Sequence, residues 1–399
     1  MTEFLSLYGD AARTAAGFFW KAGWAFVLGY SVSAMIQAFV PKGRLTPYLG
    51  DPDVRSVSLA TVFGAASSSC SFAALAAARA LVMKGAHFIA AVAFMFASTN
   101  LVIELGILIL IFLGWQFLVA EIVGGLFLII ISSVLIRLTY PRDWVQSARE
   151  ALEQQGDAEE DDFDWRQRIR SADGWRIVGQ RFVSDWQMVW EEILIGFTIA
   201  GFVAVLVPPW FWERIFLVGL AGSIPDWLIA LENALIAPFV AAATFIGSLG
   251  NIPQATVLNS NGVLFAGIMG FIYSDLMVPP LVMINAKYYG WRVALYIAAV
   301  MFASIVITAL SMHMIFGVLG IVPESGREVS EVARFELDYT FYLNILFAII
   351  AAIMVWLYRQ SKPAESGGHD HGSGGLAPKR IIALIAAVIM VVGIAVSFL

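Results

Sequence analysis

Hydrophobic residues fall along this chain in long runs separated by short polar stretches. A run of about 20 apolar residues crosses about 30 Å of hydrocarbon. In lipid the backbone must satisfy its own hydrogen bonds, so such runs form helices. Residues 16–40 make the first, with Lys21 near its start and Pro41-Lys42-Gly43 stopping it. Residues 57–83 make the second, and residues 86–137 are long enough for two, divided near Gly114-Trp115-Gln116. A hydrophilic stretch follows over about residues 139–185. Apolar sequence resumes at 193–207, ended by Pro208-Pro209, and the aromatic stretch 210–220 suits the membrane interface. Runs at 227–249, 263–284, 293–322, 341–358 and 381–399 complete the pattern, so the expectation is all-α with about ten spans.

Composition agrees. The 399 residues are 60% hydrophobic and 14% charged, against about 25% charged in an ordinary soluble domain, with a mean hydropathy of +0.80. A soluble chain this long would form two or three domains with charged surfaces, and the charge to cover them is missing. Collagen, disordered tails and disulfide scaffolds are excluded by the same figures. The single cysteine, Cys70, excludes an internal disulfide and a cysteine-cluster metal site. The first 13 residues carry Glu3 and Asp10 and lack the basic start of a cleavable signal, so the first span is expected to be retained.

Charge also suggests sidedness. The 139–185 stretch holds Arg142, Arg149, Arg166, Arg168, Arg170, Arg176 and Arg181, which places it in the cytoplasm by the positive-inside rule. Counting back four spans puts the N-terminus there too, in a multi-pass protein of the cell inner membrane. Its acidic run Glu159-Glu160-Asp161-Asp162 reads either as a solvated linker or as a metal or partner site. The expected organisation is a first membrane half (1–138), a cytoplasmic linker (139–188), a second membrane half (189–322) and a C-terminal helix pair with a His/Gly-rich linker (323–399). In that linker His369 and His371 could hold a metal weakly, because two imidazoles on a Gly/Ser-rich chain make a poor cage. His87 and His313 read as structural.

The halves look alike. Ala65 to Leu75, with Ser67, Ser68, Ser69, Cys70 and Ser71, and Ile246 to Ala255, with Gly250, Asn251, Pro253 and Gln254, are small and polar clusters inside apolar sequence. Each is followed by a glycine, Gly85 or Gly262, and an apolar run ending in polar residues: Ser98-Thr99-Asn100 in one, Ser274-Asp275 in the other. Gly costs a helix about 1 kcal/mol and Pro about 3, so residues 67–71 and 247–253 are expected to be helix breaks. Unwound backbone at membrane depth persists where it lines a cavity, and two such breaks in corresponding positions point to a substrate site. Small residues that merely let helices pack closely are the alternative.

These residues carry a resemblance. The stretch Ser67 to Phe72, then Lys84-Gly85 and Ala93 to Gly106, resembles the predicted permeases once grouped as a domain of unknown function, which include organoarsenical efflux permeases. In the second half Gly250 to Leu258, Phe265-Ala266-Gly267, Asp275-Leu276 and Lys287 to Tyr296 match as well, so the likeness covers roughly residues 16–316. It implies a permease, in some members exporting trivalent arsenicals through paired thiols. This chain departs from that pattern: it has Ser68, Cys70 and Ala73 where a second cysteine and a proline are often found, and one thiolate chelates a soft metal poorly.

The candidate substrate residues are therefore Ser67, Ser68, Ser69, Cys70, Ser71, Ser98, Thr99, Asn100, Gly250, Asn251, Pro253, Gln254 and Asn259. Charged groups in spans are costly and so are functional candidates. Glu104, Asp275 and Glu121 are the candidates for proton coupling, with structural pairing to Arg79, Lys84 or a helix end as the alternative. The expected function is a secondary transporter exporting a small toxic solute, an arsenical, a metal or a small anion. Its partners would be that solute and the lipid bilayer, with no cofactor and no nucleic acid, and a homo-oligomer is compatible with the sequence. A passive facilitator, a membrane-embedded enzyme and a scaffold remain as rivals. No Walker A, HExxH or GxSxG motif supports an ATPase or an enzyme.

Overall fold

The computed structural model describes residues 2–39, 49–67, 71–83, 85–141, 143–146, 165–244, 248–323, 329–333, 335, 337–360 and 378–397. These residues are predominantly helical, with no strand among them. Six helices are long and apolar enough to cross a membrane, and a bent pair would make a seventh. Several runs expected as single spans are instead pairs of shorter helices, which lowers that number below the ten expected. The chain divides into two compact units.

One unit comprises 1–41, 162–206 and 333–399. It contains α1 (Thr2–Phe39), the short α7 (Trp165–Arg170), α8 (Ala172–Leu206), α16 (Tyr339–Gln360) and α17 (Pro378–Val396). α1 packs along α8, and α16 and α17 pack on both. Small residues set the spacing: Ala11, Ala15, Ala22 and Ala25 of α1 are fully buried, and a Cβ at Gly201 or Gly393 would strike Ala15 or Ala12. Lipid tails are as apolar as leucine, so such close approach substitutes for a hydrophobic drive between helices. Phe18, Phe19 and Phe26 surround the Phe197 ring. Lys21 pairs with Asp338 at 3.0 Å. Asn344 grips the α1 backbone: Nδ2 donates to Trp20 O at 2.8 Å, and Oδ1 accepts the Trp24 N–H at 2.9 Å.

The other unit comprises 42–161 and 207–332. Its first run is α2 (Val54–Ser67), α3 (Ser71–Met83), α4 (Phe88–Asn100), α5 (Ile103–Phe112) and α6 (Trp115–Thr139). After the short α9 (Pro209–Ile215) the second run is α10 (Asp226–Thr244), α11 (Ser248–Ser260), α12 (Phe265–Ile272), α13 (Pro279–Tyr289) and α14 (Trp291–Leu319), followed by α15 (Val329–Val332). Both runs turn at glycines that occupy left-handed backbone: Gly85 and Gly262 after the second helix, Gly114 and Gly290 before the last. No other residue takes that conformation without strain. α2 packs on α4 and α10 on α12. Between the runs α6 packs on α14, α3 on α13, and α5 on α11.

The breaks have local causes. α4 and α5 meet at 43°, because Ser98, Thr99 and Asn100 use their side chains to hydrogen-bond the carbonyls of Met95 and Phe96. Residues 263–284, expected as one span, form α12 and α13 joined by a 3-10 turn at 275–277, and Pro279-Pro280 starts the new helix, where a missing N–H costs nothing. α11 is already helical at Ser248 and carries Pro253 inside it, so residues 248–253, expected as a break, are helix instead. The stretch 210–220 is a short helix and a 3-10 turn, with Trp210 and Phe211 exposed and Trp212 buried.

Candidate functional site

The site forms where the second unit's two runs of helices touch. Ser71 opens α3, just past the first small-residue cluster, and is buried. Its Oγ donates to Asp275 Oδ2 at 3.2 Å. Asp275 is fully buried in the turn between α12 and α13 rather than within a regular span.

α6 supplies the third member. Glu121 is almost wholly buried. Neither of its carboxylate oxygens has a hydrogen-bond partner among the described residues, and it lies within electrostatic reach of Asp275 and Tyr273. Tyr273, at the end of α12, donates from Oη to Ala120 O at 2.6 Å. The room for its hydroxyl comes from Gly124, where a Cβ would overlap it. Ser274 returns its hydroxyl to Gly270 O. Two carboxylates within electrostatic reach of each other, a hydroxyl and a phenol thus share one apolar interior. Such a setting raises the cost of charge and makes each ionisable group in it a candidate for function.

Other expected residues sit elsewhere in this unit. Ser98, Thr99 and Asn100 are buried, and their donors close the end of α4; Asn100 Oδ1 has no partner among the described residues. Glu104 is buried in the first turn of α5, where a negative charge complements the helix dipole. Asn251 accepts the Thr244 hydroxyl at 3.2 Å and so links the end of α10 to α11. Gly250, Pro253 and Gln254 are buried on α11, and Gln254 Oε1 has no partner among the described residues. Asn259 is buried and lines a recess of about 720 Å³ with Gln116, Trp115 and Gly320. Ser67 is buried at the end of α2. Ser68, Ser69, Cys70, His369 and His371 lie outside the described residues, as do Lys84 and the acidic run 159–162.

Some contributors gave little sign in the sequence. Tyr273 looked like one aromatic in an apolar run, and Gly124 like one of a Gly-Gly pair in a long span. Only the crossing of α6 by α12 unites them. Asn233 is a buried staple: Nδ2 donates to Phe216 O at 2.5 Å, and Oδ1 accepts the Leu264 N–H at 3.0 Å. Arg79 lies 4.7 Å from the Tyr288 ring. His313 packs beside Phe265.

A family model described as predicted permease matches residues 8–314 of the chain. The chain belongs to this predicted permease family. It is similar to permease Rv2963 of Mycobacterium tuberculosis, at 37% identity over 329 residues, covering 79% of each chain. No solved structure matches the chain. The matched span contains the positions of Ser71, Glu121 and Asp275. The exposed apolar side chains on α6, among them Leu126, Ile130 and Val134, fit a protein seated in lipid rather than water. This is a multi-pass membrane protein, and its family indicates transport rather than catalysis.

Proposed function

We propose that this permease is a secondary transporter that exports a small toxic solute, an arsenical, a metal or a small anion, in exchange for protons. The observation that carries the reading is the Ser71–Asp275 hydrogen bond with Glu121 beside it. It joins the helix after the first small-residue cluster to the turn of the opposite run. A solute bound at such a junction would feel both runs, and a carboxylate there can trade a proton for it.

The helix order supports a two-repeat arrangement in which α2–α6 correspond to α10–α14. A two-fold relation exchanges α3 with α11 and α5 with α13, so it turns the α3–α13 contact into the α11–α5 contact and the α6–α14 contact into itself. Those are the three most extensive pairings between the two runs; the smaller α6–α12 contact has no equal counterpart between α14 and α4. Alternating access would then be one repeat rocking against the other. In this reading the substrate residues are Ser67 to Ser71, with Cys70 as one soft ligand, together with Ser98 to Asn100 and the α11 residues Gly250, Asn251, Pro253, Gln254 and Asn259. Glu121 and Asp275 carry the proton, and Glu104 is a second coupling candidate. The protein would sit in the inner membrane with its N-terminus and 139–188 loop in the cytoplasm.

The test has two arms. Cells with and without the chain are challenged with trivalent arsenicals, soft metal ions and oxyanions, and the compound whose toxicity rises on removal names the cargo. Proteoliposomes loaded with that compound then report its efflux under an imposed pH gradient. Efflux that responds to the gradient in wild type and not in Asp275→Asn supports exchange. Efflux indifferent to the gradient would replace the transporter with a passive facilitator.

A further inference from the structure

The second unit carries a groove of about 500 Å³ between α2 and α6, lined also by Ile89 of α4. Its walls are apolar, and Val62, Ile130 and Val134 on its rim are 61%, 59% and 50% exposed. On a multi-pass membrane protein such a surface faces acyl chains.

One end of the groove is charged. Asp53 immediately precedes α2, and Arg137 lies in the last turn of α6; both line the groove. The two belong to the same end of the unit. Leu49, four residues before Asp53, accepts the His87 N–H at 2.7 Å, and the His87 ring stacks at 5.4 Å on Tyr140, three residues past Arg137. Among the described residues Asp53 and Arg137 form no ion pair with each other, and both line the same groove. One Asp53 oxygen accepts the Ser56 N–H at 2.7 Å. Hydrogen bonds from Ser56 hold this carboxyl below the usual range, and it is ionised at neutral pH.

We propose that this groove binds a zwitterionic aminophospholipid of the ethanolamine type, with its chains along α2 and α6, its phosphate on Arg137 and its ammonium on Asp53. The charge order selects the headgroup. An anionic glycerol headgroup would bring no cation to Asp53. A choline headgroup has no N–H to donate to the carboxylate. A free phosphate would leave the apolar walls uncovered. Ser133, whose buried hydroxyl has no partner among the described residues, lies one turn before Arg137 along the same wall.

The test uses the full chain in bilayer discs made from equal parts phosphatidylethanolamine, phosphatidylglycerol and phosphatidylcholine, with retained lipid read by native mass spectrometry. Wild type is expected to retain phosphatidylethanolamine above the other two. Arg137→Gln should lower that retention about five-fold, the worth of one arginine near a phosphate surface. Arg137→Lys should keep it. Asp53→Asn, which preserves the helix cap, should bring phosphatidylethanolamine down to the level of phosphatidylcholine. Equal retention of all three lipids, a preference for phosphatidylglycerol, or loss in Arg137→Lys equal to that in Arg137→Gln would overturn the proposal.

Discussion

Ser71 and Asp275 lie 204 residues apart in the chain and meet at 3.2 Å in the interior of one helical unit. Ser71 stands at the head of α3, and Asp275 at the head of the 3-10 turn before α13. Through this bond the first run of helices is tied to the second.

Asp275→Asn keeps an oxygen that can accept from Ser71 but removes the ability to carry a proton. The folded protein should therefore melt close to wild type, while gradient-driven efflux falls by an order of magnitude or more. Ser71→Ala should behave differently, losing about 1 kcal/mol of stability with the buried hydrogen bond. Thermal melting in detergent, paired with the efflux assay, separates the two. A large melting loss in Asp275→Asn would assign the residue to folding.

Gly124→Ala should be costly. Its added Cβ would overlap the Tyr273 hydroxyl, and overpacking of this kind costs about 1–3 kcal/mol. Adding Tyr273→Phe removes the colliding oxygen together with its bond to Ala120 O. The double variant should then be more stable than Gly124→Ala alone, and a simple sum of the two losses would show that the pair is not in contact.

Asn344→Leu should destabilise the unit built on α1 and α16. It removes one bond to Trp20 O and one from Trp24 N–H, at about 1 kcal/mol each. Gly23→Ala should have a smaller effect in the same direction, because its Cβ would press on Asn344 Oδ1 at 3.2 Å. Denaturation of the purified protein measures both.

Acid should weaken the same unit through Asp338. Burial by itself would raise this carboxyl, but hydrogen bonds from Lys21 and Thr340 and the Lys21 charge bring it below the usual carboxylate range. A carboxyl lowered on folding stabilises the folded state in full above its unfolded value of about 3.9. That contribution is lost as the pH falls through the lower folded value. Melting temperatures measured downward from pH 6 should show this loss below about pH 4, and Asp338→Asn should remove this part of the acid dependence.

Much of the fold was legible because apolar runs and helix-breaking residues act locally. The runs named the helices, and Pro208-Pro209 and Gly114 marked their ends. The count of spans was less legible. A serine or asparagine that turns back onto its own helix, as Ser98 to Asn100 do, leaves hydropathy unchanged while it bends the chain. Ser71, Asp275 and Glu121 were recognisable one by one as polar groups in apolar sequence, but their meeting was not, since it depends on α3, α6 and α12 converging. Tyr273 and Gly124 carried no signal at all, because a phenol and a glycine become a donor and its niche only across a helix contact.

The sequence by itself determined that this chain is helical and membrane-embedded, and which polar residues are too costly in lipid to be idle. Those properties follow from composition and from periodicity over a few turns. Only the tertiary structure decided which of those residues share a site, because hydrogen bonds and electrostatics fall off within a few ångströms. Residues 204 positions apart come that close only when whole helices pack.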